Sequence, residues 1–245
     1  DSDKKTSSDS KSDDKKDSGK KVTVVTSGTG EPYSLISDDG KWTGIDAEMW
    51  DEIEKRTGWE VEVKQASFDA MWGELDTGRA DVVANCLAVK EERTDKYNAT
   101  IPYYGDSQCI IVNDDSDYKT SDDLKGKTTA NSIGSTYMEL GEDYGATVKG
   151  VDDLTKCMDL VKSGGVDATI NAATSINDYL QTTKDSSFKI VDQSKESTPY
   201  AIPMVKGDDN ASLKKAVNKA LKELKEDGTL SKISIKYFGE DLTKE

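Results

Sequence analysis

The strongest constraint on this chain is a switch of hydrophobic period that repeats from residue 21 onward. A β-branched run, KVTVVTSG, ends in Ser/Gly and reads as a strand leaving into a turn. In GIDAEMWDEIEKRTG, Ile45, Met49 and Ile53 recur every four residues and Gly58 closes the stripe, the pattern of one amphipathic helix with a glycine stop. WEVEVKQA predicts a strand, FDAMWGELDTG a helix and turn, and ADVVANCLA one buried strand. Strands alternating with short helices build βαβ units, so a largely parallel sheet covered by helices is expected.

After Pro102 the alternation starts again. QCIIVN (108–113) predicts a strand, and a second series follows from LKGKTTANS. It continues with a helix near 135–143, a strand near Thr147, a helix carrying Leu154, Met158 and Val161, the strand VDATIN and a helix near 174–181. The halves share element order but no residue repeat. At the end, Leu213, Val217, Leu221 and Leu224 form one apolar face of a long helix, and Leu230, Ile233 and Tyr237 mark a shorter one after Gly228. Periodicity does not say which half this pair covers.

Composition excludes several kinds of function. Residues 1–20 carry no aliphatic or aromatic side chain and cannot offset the entropy of ordering, so residues 1–21 are expected as a disordered tether. Asp and Lys cancel within residues 1–20, which leaves the net charge of −15 on the rest of the chain. An acidic body without clustered Lys or Arg offers phosphate nothing to bind, so neither nucleic acid nor an anionic membrane surface is an expected partner. No apolar run is long enough to span a bilayer. Histidine is absent, and Cys86, Cys109 and Cys157 are widely spaced with no CxxC. That pattern excludes a His-dependent triad and supports neither a Cys/His zinc site nor a disulfide scaffold. Cys86 and Cys109 sit in apolar strand-like stretches and read as small buried hydrophobes. With no P-loop, no GxGxxG after a strand and no GxSxG, no catalytic residue, metal or cofactor is expected.

Four stretches carry a family resemblance: DDGKWTGIDAEMWDEIEKRTG, GRADVVANCLAVKEERTDKYNATIPYY, DDLKGKTTANSIGSTYMEL and ALKELKEDGTLSKISIKYFGEDLTKE. In order and separation they resemble the extracellular solute-binding proteins, family 3, that serve polar amino-acid ABC transporters. The VVAN and GEDLT segments are most similar to the cystine-binding branch. The resemblance covers residues 22–245. It implies an α/β fold of the periplasmic-binding-protein-like type II, two α/β lobes joined by two crossing strands, closing on a ligand without transforming it. Lobe one would be 22–112 plus 203–245 and lobe two 113–202, with crossings around Ile110–Asn113 and Ala201–Val205. It further implies an extracellular monomer that hands a small amino-acid-like ligand to the membrane permease of an ABC importer. The tether would hold it at the outer face of the cytoplasmic membrane as a lipoprotein, the anchor lying outside this chain. Two alternatives share the fold: a ligand-sensing receptor module, and a prephenate-type dehydratase, which without histidine would need Asp or Glu as acid and base.

The resemblance also selects site residues. Arg93 falls at the arginine of the family's SITPER motif, here AVKEER, which pairs with the ligand α-carboxylate. Independently, Arg93 follows an apolar strand, where open α/β sheets hold ligands, and its planar fork suits a carboxylate; pairing with Glu91 or Glu92 at the surface is the structural alternative. Gly134, Ser135 and Thr136 match the family's carboxylate anchor from lobe two, and Ser135 or Thr136 can also cap the helix they open. Tyr33 and Phe68 match ring positions near the cleft, with Glu31 available to a cation. Trp72 reads as lobe core or surface, and Trp42 carries no assignment. Two departures follow. Ala88 replaces a serine that assists the ligand ammonium, and Lys90 takes a Thr position. Ala172 stands where the family's VDAVVxD pattern places the acid that receives that ammonium, while Asp167 belongs to the turn entering the strand. An ammonium buried without an acceptor is costly, so Glu31, Asn85, Asn171 and Glu196 are candidate replacements. The expected ligand is an amino acid, cystine included, with a modified amino acid, a small peptide or another carboxylate also open.

Overall fold

The computed structural model describes residues 18–88, 91–193, 198–207, 210–239 and 241–243, without the side chains of Glu91 and Glu92. Most of the expected tether therefore lies outside the described residues. The first part builds β1 (Lys21–Thr26) and an antiparallel ribbon of β2 (Thr29–Gly30), β3 (Ser34–Ile36) and β4 (Trp42–Thr43). In α1 (Ile45–Thr57), Ile45, Met49 and Ile53 are buried, and Gly58 ends the helix at φ 72°, a conformation that costs glycine least. Next come β5 (Glu60–Gln65), α2 (Ala70–Asp76), β6 (Val82–Val83), β7 (Leu87–Ala88), α3 (Glu91–Lys96), β8 (Tyr97–Ala99) and β9 (Tyr104–Asp106). ADVVANCLA is thus two short strands rather than one. Cys86 turns the chain at φ 44°, a conformation that hydrophobicity alone does not report.

The second part contains β10 (Gln108–Asn113), β11 (Thr128–Ser132), α4 (Thr136–Asp143), β12 (Thr147–Val151), α5 (Leu154–Ser163), β13 (Ala168–Ala172), α6 (Ala173–Thr183) and β14 (Phe188–Gln193). The chain then returns through β15 (Thr198–Ala201), β16 (Pro203–Val205), α7 (Ala211–Glu226) and α8 (Thr229–Phe238). Two five-stranded sheets result, β5-β1-β6-β16-β8 and β12-β11-β13-β10-β14. Both are mixed rather than largely parallel. Pairs within βαβ units are parallel, as in β1–β5, β1–β6, β11–β12 and β11–β13. By contrast, β10 and β16 reach their sheets from the other lobe without a helical crossover and pair antiparallel with their neighbours.

The crossing itself is an antiparallel pair of β9 and β15, with Thr198 opposite Asp106 and Tyr200 opposite Tyr104. This corrects the expected crossings: Ile110–Asn113 lie inside the second sheet, and Pro203–Val205 lie in the first. The terminal helices pack on the first lobe. Leu213, Val217, Leu221, Leu224, Leu230 and Ile233 share one buried cluster with Val22, Val24, Ile45 and Met49. A separate cluster of Ile111, Met158, Val161 and Ile176 supports the second lobe.

Candidate ligand-binding cleft

Between the lobes lies a cavity of about 620 Å³, within the size range of small-molecule sites. Its walls come from the loop ends of both sheets, where the βα connections leave side chains and free backbone groups to face a ligand. Of the residues singled out in the sequence, Arg93, Ser135, Thr136, Tyr33, Phe68, Glu31, Asn85, Ala88, Asn171 and Ala172 line it. Gly134 does not. It meets Phe68 instead: a Cβ placed on Gly134 would sit 3.6 Å from the Phe68 ring, so this pair joins the two lobes at the mouth of the cleft.

Arg93 is half-buried on α3. One Nη donates to the Ala88 carbonyl at 3.1 Å, and the guanidinium carbon lies 5.3 Å from the Trp72 ring centroid. Trp72 in turn packs on Tyr97 at 5.0 Å. Trp72 packs against the lobe-one core, as its spacing predicts, and from there also holds the guanidinium by a cation–π contact. No pattern in the sequence links Trp72 to Arg93, because the contact joins two helices across the sheet edge.

Ser135 occupies the N-cap position of α4, but its hydroxyl makes no capping bond. The residue is 6% exposed and its Oγ has no hydrogen-bond partner among the described residues. A buried hydroxyl left unpaired is costly, and this one faces the cavity. Thr136 begins the helix beside it, so free backbone N–H groups and an unused hydroxyl converge on the same space.

Other candidates are committed elsewhere. Asn85 Oδ1 accepts from Ser27 Oγ (2.9 Å), Ser27 N (3.2 Å) and Thr26 Oγ1 (3.1 Å), which ties β6's exit to β1. Asn171 Oδ1 accepts from the Ala172 N–H at 2.7 Å. Asp167 accepts from Thr128 N (2.8 Å) and Tyr118 Oη (2.9 Å), a structural role at the strand entrance. Glu31 is exposed on the first-lobe rim. Lys90 and Glu196 lie outside the described residues.

Tyr33 is more than a ring beside the ligand. It packs on Tyr200 and Phe238, with centroids 6.1 and 5.5 Å away, and its hydroxyl donates to Asp106 Oδ2 at 2.9 Å while lying against the Thr174 hydroxyl. Asp106 ends the crossing strand β9, is 5% exposed, and also accepts from the Thr174 hydroxyl and backbone N–H. Burial pushes its pKa up, while the bonds from Thr174 and Tyr33 pull it down. A first-lobe tyrosine, a crossing-strand carboxylate and the start of α6 are thus joined under the cleft. Sequence reading missed Asp106, because only the tertiary contact distinguishes it from the many other surface-type acids.

The geometry is that of a two-lobed binding protein. A family profile of the bacterial extracellular solute-binding proteins, family 3, matches residues 22–240, and the chain belongs to that family. The L-cystine-binding protein TcyA of Bacillus subtilis (strain 168) is 40% identical over 226 residues, covering 91% of this chain and 83% of that protein. An ancestral arginine-binding protein bound to arginine superposes with a TM-score of 0.82 at 33% identity, covering 89% of this chain and 98% of the other. The L-cystine solute receptor of Neisseria gonorrhoeae, in its unliganded open conformation, gives 0.62 at 34% identity, covering 94% and 97%. The chain is an extracellular solute-binding component of an ABC importer, a binding protein rather than an enzyme.

Proposed function

We propose that the cleft captures an amino acid by its α-carboxylate, held by Arg93 from lobe one and by Ser135 and Thr136 from lobe two. The observation that carries this reading is the buried Ser135 hydroxyl, which lacks a partner and shares a cavity with the Trp72-braced guanidinium. A carboxylate would satisfy both at once. Ala172 supplies no acid for the ammonium, and Asn85 and Asn171 have their carbonyl oxygens engaged. Tyr33 lines the cavity and donates to the buried Asp106 carboxylate, so a negative charge stands one hydrogen bond behind the wall that an ammonium would face. Phe68 covers the mouth and Glu31 the rim. The names of TcyA and of the arginine-bound structure support L-cystine and L-arginine as first ligands to test.

The ligand would pass to an ABC permease at the outer face of the cytoplasmic membrane, with the Ser/Asp/Lys-rich residues 1–20 serving as a leash to a lipid anchor. Titration calorimetry with L-cystine and L-arginine tests the site. Arg93→Ala is expected to cost about 2–5 kcal/mol, as removal of one member of a buried charge pair does, and Arg93→Lys to recover only part because an ammonium cannot reproduce the fork. Binding by the alanine variant within twofold of wild type would remove Arg93 from the site.

A further inference from the structure

Helix α6 contributes far more to the cavity than an amino-acid head group requires. Ser175, Asp178, Tyr179, Thr182 and Thr183 all line it. These positions are spaced as one helical face, and eight residues at 1.5 Å rise extend it by about 12 Å. Its start adjoins Ala172 and Asn171, beside the head-group region, and the rest runs away from there.

The charge of the cavity lining is one-sided. Arg93 is the one cationic side chain among the described lining residues, against Glu31, Asp152, Asp153 and Asp178. Two of the acids already have work within the second lobe. Asp152 pairs with Lys156 Nζ at 2.6 Å, and Asp153 caps α5 by accepting from Lys156 N at 2.9 Å. Asp178 differs. Its carboxylate has no hydrogen bond or cation among the described residues, it is half-buried against the cavity, and that burial raises its pKa. The unpartnered Ser135 hydroxyl, buried in the same cavity, independently marks this space as one built for a ligand.

We propose that Asp178 is a specificity residue that receives the cationic far end of an elongated ligand, a second ammonium or a guanidinium carried along the α6 face. This rests on the reading that Arg93 and Ser135 hold the ligand's α-carboxylate. An acid in a half-dry wall discriminates strongly, because a neutral end leaves it desolvated and unpaired, whereas a cation restores what hydration supplied. Threonines 182 and 183 offer hydroxyls to the remaining protons of that cation.

The test compares two ligands that carry a cationic group at the far end, L-arginine with its guanidinium and L-cystine with an ammonium beside its second carboxylate, with two that carry none, S-methyl-L-cysteine and L-glutamine. Calorimetry on the wild type should show the cation-ended pair binding at least tenfold more tightly. Asp178→Asn should weaken that pair tenfold or more, change the neutral pair less than twofold and leave the thermal midpoint in place. Equal wild-type affinity for both pairs, or a variant that binds L-cystine and L-arginine within twofold of wild type, overturns the assignment of Asp178 while the carboxylate site stands. Should the wild type bind none of the four, the amino-acid reading itself fails, and the far-end subsite with it.

Discussion

Asp46 shows how much a single buried residue can set. It is fully buried at the start of α1, where its carboxylate accepts from Cys86 N at 3.0 Å, the Cys86 thiol at 3.3 Å and Tyr103 Oη at 3.1 Å. Desolvation outweighs these bonds and lifts its pKa to about 7. The same carboxylate holds Cys86 in its turn below the cleft, and burial pushes the thiol's pKa up, so Cys86 stays a protonated donor rather than a reactive thiolate. The folded state therefore takes up a proton on Asp46 at a pH where the unfolded chain has lost it. This contribution is fully present below the unfolded pKa and disappears as pH rises through about 7. Between pH 5 and pH 8, denaturant titration is expected to show stability falling by up to about 2–3 kcal/mol from this group. Asp46→Asn should flatten that slope. An unchanged slope in the variant would mean that Asp46 does not titrate in this window.

At the scale of the element, α4 runs against its own helix propensity. Gly141 lies within it, and alanine there would ordinarily stabilise a helix by about 1 kcal/mol. Here a Cβ would stand 2.8 Å from Thr129 Oγ1 and 2.9 Å from Val148 Cγ2, both on stiff β-branched side chains of the sheet beneath. The glycine is the price of bringing α4 close to β11 and β12, and that closeness sets Ser135 and Thr136 at the cleft. Gly141→Ala is expected to lower stability by about 1–3 kcal/mol, as overpacking does, read as a shift in the urea midpoint. A stabilised variant would show that the helix can move away without loss.

At the scale of the molecule, the crossing pair β9 and β15 is a narrow connection between two lobes, each with its own main core cluster. Bodies joined this way rotate about the connection, and a ligand touching both selects the closed arrangement. Two contacts already span the gap: Tyr33 to Thr174, and Phe68 beside Gly134. Small-angle scattering of protein stripped of ligand should give a larger radius of gyration than this structure, and saturation with L-cystine or L-arginine should bring it down. No change on saturation with a ligand that calorimetry shows to bind would rule out closure as the response.

The alternation of strands and helices was legible in the chain, because each element advertises its period through side chains only one to four residues apart. Ile45–Met49–Ile53, Leu213–Val217–Leu221 and the strand Ala168–Ala172 all lie where their spacing puts them. The place of Arg93, Ser135 and Thr136 on the cavity wall was also legible, since motifs at βα turns fall at the cleft whenever the sheet forms. What the spacing left open was decided by contacts between distant residues. The antiparallel entry of β10 and β16, the crossing at β9 and β15, and the return of α7 and α8 to lobe one depend on which faces meet, and a face has no local signature. The same holds for Asp106 beneath Tyr33, for Trp72 beneath Arg93, and for the turn at Cys86. Each owes its role to a partner dozens of residues away or to a backbone angle, and burial and hydrogen bonding between such partners exist only once the chain has folded.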